Sequence, residues 1–290
     1  MEYITHILIL ALIYAVLAMS LNLQLGYTGL YNFGHVAFFG VGAYTSALLT
    51  LHGWPVPLGM ALGMVLAGLA GFVLAFPALR LTGDFFGIAS LAFGEMVRLI
   101  FLNERWLTKG PMGLPGIPRP AGMAGGSTGL LLFLVLALIL AGIAHGWLSY
   151  LTRSPFGRAL KVIREDEYVA QALGKNPFTF KVKSVVIGSV WAGLAGALWA
   201  HYITYISPGD FSLQTTILMI LCVVLGGKGT PWGPVLGAFI VIFAQELLRF
   251  LPIPSDWTRL VAPIQGMVFG LGLVALMLKR PQGMLSEHRS

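Results

Sequence analysis

A series of unbroken apolar runs, each near the length a helix needs to cross a bilayer, constrains this chain more than any other feature. A hydrocarbon core takes about 20 helical residues to span. The runs fall near 4–24, 33–51, 57–77, 84–102, 129–150, 183–204, 213–226, 232–250 and 260–278, which reads as about nine spans, within a range of eight to ten. The second and the seventh are Gly-rich or short and are candidates for broken helices. Apolar residues make up 57% of the chain and charged residues 10%, against about 25% charge in an ordinary soluble domain. Too little polar surface exists to cover such an interior, so lipid must supply the apolar contact. In lipid every backbone polar group is satisfied internally, which leaves helices or a closed barrel. Continuous rather than alternating apolar runs select helices. The expected fold is an all-α polytopic membrane protein forming one domain over residues 1–290.

The net charge of +7 sits mostly in short connecting segments, so the positive-inside rule accounts for it better than a nucleic-acid partner does. With the 152–182 segment inside, the inner segments collect Arg80, Arg153, Arg158, Lys161, Arg164, Lys175, Lys181, Lys183, Lys228, Lys279, Arg280 and Arg289. The outer segments collect Arg105, Lys109, Arg119, Arg249 and Arg259. That bias puts the C-terminus in the cytoplasm, and nine spans would put the N-terminus outside. Met1-Glu2-Tyr3 lacks the cationic region of a signal peptide, so the first run reads as a retained span. The lone Cys222 lies in an apolar run and reads as a small core hydrophobe. Residues 103–128 carry Pro111, Pro115, Pro118 and Pro120 with several glycines. That composition excludes a regular helix and reads as an exterior loop structured by turns, a surface suited to an external partner.

Between the apolar runs lies one large cationic segment. Over 156–175 the spacing predicts a single amphipathic helix with Ala159, Val162, Val169 and Leu173 on one face and Arg158, Arg164, Glu165 and Gln171 elsewhere. Gly174 supplies the stop and Pro177 prevents resumption. Such a helix needs a groove, which either the membrane interface or a cytosolic subunit can provide.

Arg158-Ala159-Leu160-Lys161-Val162-Ile163-Arg164-Glu165-Asp166-Glu167, followed by Ala170, Ala172, Leu173 and Gly174, resembles the cytoplasmic coupling loop of bacterial ABC importer permeases. It is most similar to the branched-chain amino-acid transporter family. It carries Tyr168 and Val169 where the general permease pattern has two adjacent alanines. Three further blocks resemble signatures of the M-type (LivM-like) permeases of that family: Gly34-His35-Val36-Ala37-Phe38-Phe39-Gly40-Val41-Gly42-Ala43-Tyr44-Thr45; Leu79 to Phe86 with Leu91 to Arg98; and Gly226-Gly227-Lys228-Gly229-Thr230 with Gly233-Pro234 and Gly237-Ala238. The resemblance implies a permease built of two inverted-repeat halves, paired with a homologous permease. Two cytosolic ATPase subunits and a periplasmic or extracellular solute-binding protein would complete the assembly. It implies that the loop seats in a cleft of the ATPase, with Arg158, Arg164, Glu165, Glu167, Ala170 and Gly174 carrying the coupling. The implied location is the bacterial cytoplasmic (inner) membrane.

The residues themselves add to this. Gly40 and Gly42 permit close approach of another helix. Gly26-Tyr27-Thr28-Gly29, with Gly42-Ala43-Tyr44 further on, echoes Gly226-Gly227-Lys228-Gly229 with Gly237-Ala238-Phe239. Gly-interrupted apolar segments in corresponding halves point to a central pathway. In the 84–102 run, Asp84, Glu95 and Arg98 fall within an arc of about 60°. Charge facing lipid at mid-membrane costs about 2.5–3.5 kcal/mol per residue, so this face is expected to look into the bundle or a wet path. Glu95 and Arg98, at i and i+3, are also placed to pair. His35, Asp84, Glu95 and Arg98 are the path candidates. Asn22, Gln24, Asn32, His201, Gln245 and Glu246 read as interhelical hydrogen-bonding groups.

Other chemistries fit poorly. The Gly226–Thr230 run is not a phosphate loop, because Lys228 precedes Gly229 rather than Ser or Thr and the required upstream glycine is missing. ATP would therefore be hydrolysed by a separate subunit. No His or Cys cluster has metal-ligand spacing, no paired carboxylates or nucleophile–base constellation suggest an enzyme, and no cofactor is implied. The competing reading is an autonomous secondary transporter driven by an ion gradient through Asp84, Glu95 or Glu246.

Overall fold

A computed structural model describes residues 2–80, 85–120, 123, 125–249, 270 and 283–285. Each of the eight apolar runs within these residues contains a helix. They are α1 (Glu2–Asn22), α2 (His35–Leu51), α3 (Val56–Ala78), α4 (Phe85–Asn103), α6 (Gly126–Arg153), α9 (Pro177–Ile203), α10 (Leu213–Gly226) and α11 (Gly233–Arg249). Short helices α5 (Arg105–Thr108), α7 (Pro155–Glu165) and α8 (Glu167–Ala172) lie in the connections. The run at 260–278, apart from Gly270, lies outside the described residues, as does Asp84.

Among the described residues, five helices are long and apolar enough to cross a membrane: α1 with its continuation to Tyr27, α3, α4, α6 and α9. Helices α2, α10 and α11 are shorter. With 14 residues, α10 reaches about 21 Å at 1.5 Å per residue, less than a hydrocarbon core of about 30 Å. The second and seventh apolar runs hold the continuous short helices α2 and α10.

Helix α1 is the axis of the bundle. It packs on α6, α9, α10 and α11, and from Ala11 to Asn22 nearly every residue is buried. A helix apolar all round belongs in an interior. A second group, α2, α3 and α9, crosses tightly at small residues. A Cβ at Gly63 would lie 2.8 Å from the Gly42 carbonyl oxygen, and one at Gly193 would lie 2.6 Å from Ala67 Cβ. Lipid offers apolar contact as good as a side chain does, so helices associate here by close van der Waals fit, which small residues permit. Gly40 faces an aromatic cluster, where a Cβ would come within 2.8 Å of the Phe101 ring. Cys222 is fully buried in α10.

The bundle has two distinct ends. At one, the N-terminal part of α1 meets the C-terminal parts of α9 and α11, through His6 with Tyr202 and through Tyr3 Oη donating to Glu246 Oε2 at 2.6 Å. At the other, the C-terminal end of α1 meets α7 and the 227–230 segment, and Met284 N and Leu285 N donate to Leu225 O and Gly226 O at the end of α10. Among the described connections, Arg80, Arg153, Arg158, Lys161, Arg164, Lys175, Lys181, Lys183 and Lys228 gather at this second end. Arg105, Lys109 and Arg119 lie at the first.

The 103–128 connection is more ordered than turns alone. Beyond α5 it forms a strand β1 (Leu114–Pro115) that pairs antiparallel with β2 (Tyr205–Ile206), just past α9. Nothing local marks a two-residue strand between prolines. Its partner lies about ninety residues on, so only tertiary packing creates it.

Candidate functional site

The cationic segment is not the single helix expected over 156–175. Ser154 caps α7, its Oγ accepting from Phe156 N at 3.2 Å, with Pro155 in the first turn. At Asp166 the backbone turns extended, with φ −157° and ψ 117°. The Asp166 carboxylate then accepts from Tyr168 N at 2.7 Å and Val169 N at 3.3 Å, starting α8. An aspartate satisfying the orphan donors of a new helix is a stronger local choice than continuing the old one. Gly174, at φ 72°, ends α8, and Pro177 opens α9.

The break overturns the expected apolar face. In α7 the buried residues are Gly157, Ala159, Leu160 and Ile163, and in α8 only Ala170 is buried. Val169 and Leu173 are instead 49% and 65% exposed, and Tyr168 is 82% exposed. A 3.6-residue period counted through Asp166 loses its register there, because the extended residue reorients the next helix. The result is a helical elbow at the cationic end with three large apolar side chains turned to solvent.

Charge fixes the elbow to the bundle. Arg164 Nη1 donates to the Gly26 carbonyl oxygen at 2.5 Å, and its Nη2 donates to Glu165 Oε1 at 2.9 Å. Lys161 Nζ stands 5.5 Å from the centre of the Tyr27 ring. Glu167 pairs with Lys181, tying α8 to the start of α9. Arg158 is exposed and its Nη1 donates to the Arg153 carbonyl oxygen at 3.3 Å. Of the residues expected to couple, Arg164 and Ala170 face the bundle, while Arg158, Glu165, Glu167 and Gly174 lie exposed on the elbow.

Beneath the elbow, α1 ends in a widened π-helical turn, Leu23–Tyr27. Such turns are frequent at functional sites. The last carbonyls of a helix have no partner within it. Here Leu23 O accepts from Thr28 Oγ1 (2.8 Å) and Ser184 Oγ (3.1 Å), Gln24 O accepts from Leu30 N (2.9 Å), and Gly26 O takes Arg164. One residue before the turn, Asn22 reaches the other Gly-rich segment. Its Nδ2 donates to Thr230 O at 2.9 Å, and its Oδ1 accepts from Gly229 N at 3.0 Å. The two segments that echo one another in sequence therefore meet. Asn22 was legible as an interhelical group, but its partner was not, because 207 positions separate it from Gly229.

The path candidates separate. His35 is fully buried, with Nε2 2.8 Å from Ser20 Oγ and Nδ1 3.4 Å from Gln24 Nε2, beside Asn32 Nδ2 donating to Gln24 Oε1 at 2.7 Å. It sits inside a polar network linking α1 and α2, without exposed surface. Glu95 and Arg98 pair through two hydrogen bonds, Nε to Oε2 at 2.9 Å and Nη2 to Oε1 at 2.5 Å. Of the two settings expected for this face, the interior of this chain's bundle does not hold: both residues face away from it, with side chains 46% and 28% exposed. The face of α4 that packs inward is Phe86, Gly87, Ser90, Gly94, Val97 and Phe101. Small residues and aromatics claimed the interior, and the charged arc was left on the outer side. There Leu91, Met96, Leu99 and Glu95 line a shallow groove. Among the described residues no His, Cys, Asp and Glu group is arranged to hold a metal.

These features define a class: a helical membrane protein whose cationic end carries a solvent-facing elbow, held to the ends of its spans. The chain belongs to the family described as the branched-chain amino acid transport system / permease component, whose model matches residues 3–277. It is 33% identical to the high-affinity branched-chain amino acid transport system permease protein LivM of Escherichia coli (strain K12), over 97% of this chain and 69% of that protein. It is 27% identical to the probable LivM of Methanocaldococcus jannaschii, over 99% of this chain and 94% of that one. The autoinducer 2 import system permease protein LsrC of Klebsiella pneumoniae is 27% identical over 70% of this chain and 57% of that protein. No solved structure matches.

Proposed function

We propose that this chain is the M-type permease of an ATP-driven ABC importer for branched-chain or related amino acids in a bacterial cytoplasmic membrane. It pairs with a homologous permease built, like itself, of inverted-repeat halves. The α7–α8 elbow docks in a cytosolic ATPase subunit, a second ATPase serves the other permease, and a solute-binding protein delivers from outside. The observation that carries this reading is the elbow. Tyr168, Val169 and Leu173 stand exposed at the end where the cations gather, which the positive-inside rule assigns to the cytoplasm together with the C-terminal residues 284–285. Fully burying a large apolar side chain is worth about 1.5–3 kcal/mol, enough for three such side chains to seat an elbow in a cleft.

The translocation path, in this reading, runs between the two permeases along the outward face of α4. Charge on a lipid-facing helix centre costs about 2.5–3.5 kcal/mol per residue. Covering by the second permease removes that cost and leaves Glu95 and Arg98 along a polar seam suited to a zwitterion. ATP binding closes the ATPases, moves the elbow and rocks the spans. A ligand or motor shifts such an equilibrium only by what it contacts differently in the two states, and the elbow is that contact.

Reconstitution tests the reading. Proteoliposomes holding both permeases and both ATPases, with binding protein and ATP, are expected to accumulate leucine, while this chain alone is not. Accumulation by this chain alone on an ion gradient would instead establish the secondary transporter.

A further inference from the structure

We propose that Arg164 and Asn22 are positioning residues that deliver the elbow's motion to both halves of the chain at a single junction. The inference rests on the coupling role given above to the elbow. The junction is short and almost wholly buried. Arg164, at the end of α7, donates to the Gly26 carbonyl oxygen at 2.5 Å. Four residues earlier, Asn22 is bonded on both sides of its amide to the backbone of Gly229 and Thr230. Asn22 is 3% exposed. At Gly26 a Cβ would run into both Asn22 Oδ1 and the Gly229 nitrogen, so only a residue without a side chain lets the two chain segments come this close. A displacement of α7 is thereby applied to the end of α1, the central helix, and to the α10–α11 corner together.

The bonding is polar and directional, which suits a joint that must transmit rather than slip. A charged donor on a carbonyl is roughly twice as strong as a neutral one, and the Gly26 carbonyl is available because the π-turn leaves it without a helical partner. The far side of the joint is also braced. Thr230 Oγ1 donates to Gly227 O at 2.8 Å and accepts from Gly233 N at 3.0 Å, while Leu285 N donates to Gly226 O at 3.0 Å. The Gly226–Thr230 corner, with Gly227 at φ 119°, is thus a rigid receiver.

The experiment uses the whole transporter in proteoliposomes and reads leucine imported per ATP hydrolysed. Arg164→Ala and Asn22→Ala are each expected to lower that ratio about tenfold in complexes that still co-purify with their ATPases. Arg164→Lys, which keeps one charged donor, is expected to recover at least half of it. A merely structural role would lower the yield of complex without changing the ratio, and that result overturns the proposal. If the wild type imports and both alanine variants keep its ratio, the joint is wrong while the coupling reading stands. If the wild type does not import at the expense of ATP, the coupling reading itself has failed. Should the variants not assemble, hydrogen exchange on the wild-type complex decides. A Gly229 amide equally protected with and without nucleotide supports a joint that moves as one piece. Exchange at least tenfold faster in one state shows that it parts, and overturns it.

Discussion

The two ends of the bundle solve the problem of a long connection in opposite ways. At the end away from the elbow, the 104–120 connection is strapped to the C-terminal end of α9. β1 pairs with β2, Ile117 N donates to Thr204 O at 3.1 Å, Arg119 Nη2 donates to Tyr202 O at 3.1 Å, and His201 Nδ1 lies 2.7 Å from Pro118 O. At the other end the 154–176 connection is anchored through Arg164, the Glu167–Lys181 pair and the buried Leu160 and Ile163, while Tyr168, Val169 and Leu173 point outward. The first connection is tied by its backbone to α9, although Trp106 and Met112 on it are each 82% exposed. The other is positioned by the chain and left incomplete. A surface held rigid but unfilled is what a partner needs, because little ordering entropy remains to be lost on docking.

The sharpest way to break this contrast is at the elbow. Tyr168→Asp with Leu173→Asp is expected to abolish co-purification of the ATPase and reduce leucine uptake to background, while the permease pair still purifies from membranes. The outward pair on α4 comes next. Replacing both charges (Glu95→Leu, Arg98→Leu) is expected to cut uptake at least tenfold with the melting temperature unchanged or raised, since apolar replacement of an ion pair is often neutral or stabilising. Normal uptake would show that this face meets only lipid. A smaller effect is expected at the strap. His201→Ala removes hydrogen bonds to Pro118 O and Ser46 Oγ, and about 1–3 kcal/mol of stability should go with the groups left unsatisfied, read as a lower melting temperature with uptake retained. The least is expected of Asp166→Ala, which loses the cap of a six-residue helix. Such caps are worth about 0.5–2 kcal/mol, and the change should show as faster hydrogen exchange at Tyr168 and Val169.

Much of the fold could be read from local composition. The run at 4–24 became α1, that at 57–77 became α3, and that at 213–226 became α10 with the same bounds. The cationic segment and the Pro-rich connection were also visible. The candidate site was legible only in outline. Asp166 carried a cap signal that could have been found, an aspartate followed by residues willing to begin a helix, but the apolar period across it was mistaken for continuity. The outward turn of Glu95 and Arg98 was not readable. A one-sided charged arc says that the residues share a face, and nothing in α4 alone says where that face looks. Gln24, Asn32 and His35 were each recognisable as polar groups in or beside apolar runs, while their assembly into one network depended on how α2 enters beside α1.

By itself the sequence determined that the described backbone is mostly helical, roughly where its apolar helices lie, and which connections collect positive charge. Those properties come from apolar length and the obligation to satisfy backbone groups in lipid, and both act over neighbouring residues. Tertiary structure alone decided that the Gly26 carbonyl meets a guanidinium 138 positions away, that Asn22 joins the two glycine-rich segments, and that Tyr168, Val169 and Leu173 of the elbow face solvent. Such contacts arise where helices cross, and the angle and depth of a crossing depend on the fit of side chains from distant parts of the chain.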